Sequence, residues 1–133
     1  ETNILTVDPN DSETLYLGTD DDGVYKSTDG GESWKKLTVS SLSKSFGVGD
    51  IIVDPQNSNN IYIGTVDYFR LSESRGVLGD FGVYKSTDGG ATWEEFNVGL
   101  NHLGVFSLEL SEENRILYAG TRAGGVYWIS LDN

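Results

Sequence analysis

The chain has 133 residues, 37% of them hydrophobic, which suits one ordinary core. Its 21 acidic against 9 basic side chains leave a net charge of −12, which repels nucleic-acid phosphate and anionic membrane surfaces and so excludes both as partners. It has no cysteine, which rules out disulfides and thiolate metal sites, and no apolar run approaching the ~18 residues of a membrane-spanning helix.

Seventeen glycines, two prolines and short runs rich in Val, Ile, Tyr, Thr and Trp predict an all-β chain of strands joined by tight turns. In chain order the first strands read "ILTVD", "TLYLGT", "GVYKST" and "SWKKLT". The same phrases then return. "LTVDPNDSETLYLGT" from Leu5 is answered by "IIVDPQNSNNIYIGT" from Ile51 and by "LELSEENRILYAGT" from Leu108, and "GVYKSTDGG" occurs from Gly23 and again from Gly82. Asp8 and Asp54 are 46 residues apart, as are Tyr16 and Tyr62. The second repeat carries 13 extra residues between Gly64 and Gly82, and allowing for them the period stays at 43 to 46. That is the length of one four-stranded propeller blade. The inner strands carry apolar residues on both faces, as Leu15, Tyr16 and Leu17 do, which a sheet sandwiched between two others requires.

Two octapeptides, "STDGGESW" at 27–34 and "STDGGATW" at 86–93, sit in register with this period. In them Ser27, Asp29, Gly31, Ser33 and Trp34 correspond to Ser86, Asp88, Gly90, Thr92 and Trp93. A short aspartate can accept backbone N–H groups and fix a turn, paired glycines permit positive φ, and a terminal Trp pins the hairpin by burying its ring. The expected role is a clasp between the third and fourth strands of a blade.

The octapeptide resembles the Asp box, or bacterial neuraminidase repeat, of sialidases, sortilin-type receptors, xyloglucan-degrading glycoside hydrolases and secreted propellers. With the flanking "VDPxN", "YxGT" and "GVYKSTDGG" phrases the resemblance covers nearly the whole chain. It implies a partial β-propeller of about three blades: blade 1 over about 4–38, blade 2 over about 50–97 with an insertion at 66–81, and an incomplete blade 3 over about 105–131. The third blade stops after "GVYWISLDN" and lacks its outer strand. The implied location is secreted or cell-surface, extracellular or periplasmic. A start inside a strand pattern and the absence of methionine suggest a piece of a longer precursor.

An open stack of this kind leaves two sheet faces bare. At ~25 cal/mol per Å², several hundred Å² on each forgoes on the order of 10 kcal/mol per face. The expected covers are further blades of a parent chain or of a second copy in a homo-oligomer.

The propeller assignment puts the loops between second and third strands, and those between blades, on the rim that usually carries ligands. Tyr68, Phe69, Arg70, Arg75, Asp80 and Phe81 of the insertion, with His102 and Arg122, then share one face as ligand-binding candidates. Aromatic platforms and forked arginines suit a carbohydrate or a protein ligand. Phe69, Leu71, Val77, Leu78 and Phe81 equally suit folding the insertion back onto its blade. A lone histidine gives no transition-metal site, and "TDDDG" at 19–23 fails the spacing of a calcium loop, so no metal and no cofactor is expected.

Two functions fit. The leading expectation is a non-catalytic binding or scaffolding module of an exported protein, since repeats, clasps and one elaborated loop are all it needs. The alternative is part of a glycoside hydrolase, xyloglucanase-like or sialidase-like, in which Asp67, Glu73 or Asp80 supplies one of two catalytic carboxyl groups and another blade the second.

Overall fold

The computed structural model describes residues 3–40, 42, 46–66, 82–96, 104–121 and 125–131. Eleven strands form three antiparallel sheets in sequence order. Sheet 1 holds β1 (Ile4–Asp8), β2 (Asp11–Gly18), β3 (Val24–Ser27) and β4 (Lys35–Leu37). Sheet 2 holds β5 (Gly47–Val53), β6 (Ile61–Val66), β7 (Val83–Ser86) and β8 (Glu94–Glu95). Sheet 3 holds β9 (Val105–Ser111), β10 (Ile116–Thr121) and β11 (Val126–Ser130), with no fourth strand among the described residues. This is the expected class, an all-β partial propeller of three blades with the last lacking its outer strand. The innermost strands β1, β5 and β9 stand side by side.

The sheets stack through two faces of opposite kind. The registers put Tyr16, Gly18 and Val24 on one face of sheet 1, and Leu5, Val7, Leu15 and Leu17 on the other. The first face joins Ile51, Val53, Ile61, Ile63 and Tyr84 of sheet 2 in one buried cluster. On its far side sheet 2 presents Tyr62 and Val83, which join Leu108, Leu117, Ala119 and Ile129 of sheet 3 in a second. Every residue of β6, the central strand, is buried, as a strand covered on both sides must be.

Close approach depends on a glycine. A Cβ on Gly18 would stand 2.7 Å from Cγ1 of Val48, and one on Gly64 would stand 2.6 Å from Cγ1 of Val105. Both contacts are shorter than real Cβ atoms tolerate, so the glycines of the first two "YxGT" phrases admit the first valine of the next sheet. Around this contact burial pushes the Tyr16 and Tyr62 hydroxyls up to about 12, with Asp8 and Asp54 adding to the shift. Both rings pack as neutral phenols beneath a lysine: Lys26 Nζ lies 5.5 Å from the Tyr16 centroid and Lys85 Nζ 5.7 Å from that of Tyr62.

Polar ties join the sheets as well. The aspartate of each "VDP" phrase turns the chain by accepting the N–H two residues on, Asn10 N to Asp8 Oδ1 at 2.8 Å and Gln56 N to Asp54 Oδ1 at 3.0 Å. Each also reaches the next sheet. Ser58 donates to Asp8 at 2.8 Å, and Arg115, held at a positive φ of 52°, forks onto both Asp54 oxygens at 3.0 and 2.5 Å. Asp54 is fully buried, and the Arg115 hydrogen bonds, the largest influence on it, hold its carboxyl below the ordinary range.

Both octapeptides close the same hydrogen-bonded ring. Ser27 Oγ donates to Asp29 Oδ1 at 2.8 Å and accepts Gly31 N at 2.9 Å. Asp29 takes Ser33 N at 2.8 Å and Ser33 Oγ at 2.5 Å, and Trp34 Nε1 donates to Gly31 O at 3.1 Å. The second copy repeats these bonds through Ser86, Asp88, Gly90, Thr92 and Trp93 to within 0.1 Å. The paired glycines sit at φ between 72° and 97°. The two indoles differ in setting. Trp93 is buried against sheet 1 in the first cluster, whereas Trp34, on the hairpin of sheet 1, lies partly in water.

In each ring the hydroxyl of the residue before the Trp has the largest effect on the aspartate, followed by that residue's backbone N–H and the serine hydroxyl. Together they hold Asp29 and Asp88 at about 2 instead of 3.8. Between these values the unfolded chain binds protons that the folded chain does not, so the stabilisation is complete above about pH 4 and is lost as pH falls through about 2. Asp88→Asn is expected to lower the melting temperature at pH 7 and to flatten its fall between pH 4 and pH 2; melts of both proteins across that window check this.

Candidate functional site

The two ends of the stack are built differently. At one end lie the β1–β2 and β5–β6 turns and the octapeptide hairpins, tied together by Gly30 N to Glu13 O at 2.9 Å and Gly89 N to Asn59 O at 3.1 Å. At the other end the second and third strands of every sheet open into a loop, and there a threonine recurs. Thr19, Thr65 and Thr121 each follow the glycine of a "YxGT" phrase, and each bonds twice to the carbonyl across its loop mouth. Backbone N–H and hydroxyl reach Gly23 O at 3.0 and 2.9 Å, Gly82 O at 2.8 and 3.0 Å, and Gly125 O at 3.0 and 2.9 Å.

In sheets 1 and 3 this staple spans four residues; in sheet 2 it spans 17 and closes the base of the insertion. Thr65 is fully buried there, and its hydroxyl also accepts Gly82 N at 2.9 Å. Beside it Val66 packs on Gly104, the residue that ends the loop leading into sheet 3. Two loop bases therefore meet at one point of this rim. Sheets 1 and 2 are laced at the same rim by Gly23 N to Phe46 O at 2.9 Å and Val48 N to Thr19 O at 2.8 Å.

The eight ligand-binding candidates, Tyr68, Phe69, Arg70, Arg75, Asp80, Phe81, His102 and Arg122, lie outside the described residues, as do Asp67 and Glu73. The structure gives the stapled feet of their loops: Val66 and Gly82 for the insertion, Gly104 for the loop with His102, Thr121 and Gly125 for that with Arg122. The octapeptide residues are spent on the clasps at the opposite end, with Asp29 and Asp88 saturated by local donors. Of the acidic run at 20–22, Asp22 is engaged by Lys36 Nζ at 2.5 Å and by the Tyr25 hydroxyl, and the lysine, the stronger influence, lowers its carboxyl. Among the described residues no group of three or more His, Asp or Glu is arranged to hold a metal ion. An open cleft of about 280 Å³ lies where β1, β5 and β9 meet, lined by Thr6, Val7, Ile52, Leu110, Glu109 and Glu112 among others.

The threonine staples were missed in reading the sequence, though the signal was present. Threonine follows the glycine in all three repeats, and its strand propensity disguised it as one more strand residue.

No protein-family model matches the chain. It is similar to a xyloglucanase of a Paenibacillus species, 34% identical over 104 residues that make up 67% of this chain and 10% of that protein. A xyloglucanase of Acetivibrio thermocellus is 31% identical over 134 residues, covering 92% of this chain and 15% of the relative. The crystal structure of a GH74 enzyme of Niastella koreensis aligns with a TM-score of 0.73 at 31% identity, over 97% of this chain and 20% of that one. The chain thus spans 10% and 15% of the length of these two curated relatives. Of the groups that share the octapeptide, the xyloglucan-degrading hydrolases are the ones these similarities support.

The expectation of a non-catalytic binding or scaffolding module is corrected by this finding, since these relatives are xyloglucanases. The reason is physical. Clasps, repeats and an acidic surface build the scaffold and are indifferent to whether chemistry is mounted on it.

Thr65→Val keeps shape and volume but strands the buried N–H of Gly82 and leaves its carbonyl with the Thr65 N–H as its one remaining partner in the staple, at a cost of about 1–3 kcal/mol. A lower urea midpoint and faster proteolytic cleavage within residues 67–81 are the expected results, and Thr19→Val should leave that cleavage rate unchanged.

Proposed function

We propose that the chain is a segment of a xyloglucan-degrading glycoside hydrolase and that it forms part of the propeller wall carrying the substrate cleft. The observation that carries this reading is similarity of about one third identity to xyloglucanases across 67% to 92% of the chain. An alignment over 92% of the chain extends well beyond two octapeptides.

In this reading the rim with the threonine staples faces the polysaccharide. The insertion projects Tyr68, Phe69, Arg70, Arg75, Asp80 and Phe81 toward it, and His102 and Arg122 extend the same surface from neighbouring loops. Aromatic rings stack on sugar faces while arginines and carboxylates bond their hydroxyls. Hydrolysis of a glycosidic bond needs two carboxyl groups roughly 5 to 9.5 Å apart across the scissile linkage. Asp67, Glu73 or Asp80 supplies one of them and a sheet outside this segment supplies the other. A polysaccharide too large to cross a membrane places the work outside the cell, so the segment belongs to an extracellular or cell-surface protein.

The test is a transplant. This chain replaces the matching stretch of the Paenibacillus xyloglucanase, and release of reducing ends from xyloglucan is measured. Retained hydrolysis, reduced on Asp67→Asn, Glu73→Gln or Asp80→Asn, is the expected result. A soluble, folded chimera without activity, or one indifferent to all three substitutions, contradicts the reading.

A further inference from the structure

The rim where the loop feet meet is crossed by one carboxyl group that has no counterpart in the other sheets. Asp50 lies on β5, the innermost strand of the sheet that carries the insertion, opposite Gly64. The same place, opposite the "YxGT" glycine, is held by Ile4 in sheet 1 and by Ser107 in sheet 3. The register shifts between Val48 and Asp50, which leaves Gly49 as an extra residue against β6. Such a bulge bends a strand and re-aims a side chain. Here it keeps Val48 and Ile51 on the side of sheet 1, in the first cluster, and turns Asp50 toward sheet 3.

Asp50 then joins two innermost strands. Its Oδ1 accepts the N–H of Ile51 at 2.9 Å, and its Oδ2 accepts the N–H of Leu108 on β9 at 2.8 Å. Around the second bond backbone meets backbone. A Cβ on Gly49 would stand 2.2 Å from Val105 O, so the strand can come this close only at a glycine. Val105 is fully buried in the notch between Gly49 and Gly64. Gly104, just before it, rests on Val66, and Thr65, between Gly64 and Val66, staples Gly82 at the far foot of the insertion. A short unbroken path of contacts therefore runs from the Asp50 carboxyl to both loop feet.

We propose that Asp50 is a positioning residue, holding the insertion's foot at Val66 and Gly82 and the next loop's foot at Gly104 in one fixed arrangement. Clasps and staples recur from sheet to sheet, whereas this carboxyl occurs only in the blade with the enlarged loop, at the seam with its neighbour. Its bearing on hydrolysis rests on the reading proposed above, in which both loops meet the polysaccharide. In such a surface a misplacement of about 1 Å costs up to ~100-fold in rate.

Hydrogen exchange of the 133-residue chain tests the coupling without any substrate. Asp50→Ala is expected to speed exchange at Leu108, which loses its acceptor, and also at Thr65 and Gly82, by up to about tenfold, with Thr19 in the staple of sheet 1 unchanged. Faster exchange at Leu108 alone makes Asp50 a local cap and overturns the proposal. Asp50→Asn keeps one acceptor oxygen and is expected to fall between wild type and Asp50→Ala. If Asp50→Ala fails to fold, Asp50→Ser replaces it, with the side chain that sheet 3 carries at 107. In the xyloglucanase chimera the same substitution is expected to lower kcat about tenfold. Ser58→Ala, which cuts the closed-end tie to Asp8, is expected to lower the melting temperature with kcat unchanged. A chimera that hydrolyses xyloglucan equally well with and without Asp50 overturns the proposal. An inactive unsubstituted chimera contradicts the hydrolase reading instead, and the exchange rates then decide the role of Asp50.

Discussion

One missing methyl group at the same place in successive sheets sets the spacing of the whole stack. Gly18 and Gly64 let Val48 and Val105 rest on backbone, where any side chain would hold the sheets apart. Once that contact is made, the tyrosine two residues earlier is sealed, the central strand is covered on both sides, and the innermost strands come side by side. The interior energetics follow from this geometry. Each buried aliphatic side chain contributes about 1.5–3 kcal/mol only when its face is covered, and the covering depends on how near the next backbone can come. Leu5 and Ile51 are chemically alike and occupy the same repeat position, yet one is exposed and the other in the core, because among the described residues a sheet covers Ile51 alone.

The polar groups divide the stack into a closed end and an open end. At the closed end the side-chain oxygens of Asp8, Asp54, Asp29 and Asp88 are taken up by turns, clasps and ties to the next sheet, leaving little for a ligand. At the open end a single threonine per sheet suffices, bonding twice across the mouth of its loop. A staple that tolerates four or seventeen residues between its ends lets one blade carry an elaborate loop without altering the sheet beneath it. Loop closure grows only slowly more costly with length, which permits such an insertion on a fixed foundation.

Much of the scaffold was legible because it is written repeatedly. The interval between Asp8 and Asp54 gave the blade, Ser27 to Trp34 gave the hairpin, and apolar residues on both faces of "TLYLGT" gave a sheet enclosed by others. What escaped reading is what repetition hides or distance separates. The threonines looked like strand residues, and Arg115 meets Asp54 across 61 positions with nothing local to announce it. The different settings of Trp34 and Trp93 are equally invisible in two near-identical octapeptides, since the difference lies in the neighbouring sheet. Function was the least legible. The residues that repeat hold the fold together, whereas the candidate ligand-binding residues occur once in the sequence, at 68–81, 102 and 122, and carry no internal comparison. For that reason the repeat language suited a binding module as well as a hydrolase, and only similarity along most of the chain separated them.

The most direct test of the glycine constraint is a double-mutant cycle between facing positions of sheets 1 and 2. Gly18→Ala places a methyl group against Val48, and Val48→Gly removes the obstacle while opening a cavity. If the sheets are spaced by this contact, the double variant is more stable than the two single losses predict by at least about 0.5 kcal/mol, beyond the ~0.3–0.5 kcal/mol within which independent sites add. Additive losses would mean that Gly18 and Val48 do not set the distance between the sheets, and that account of the stack would be wrong.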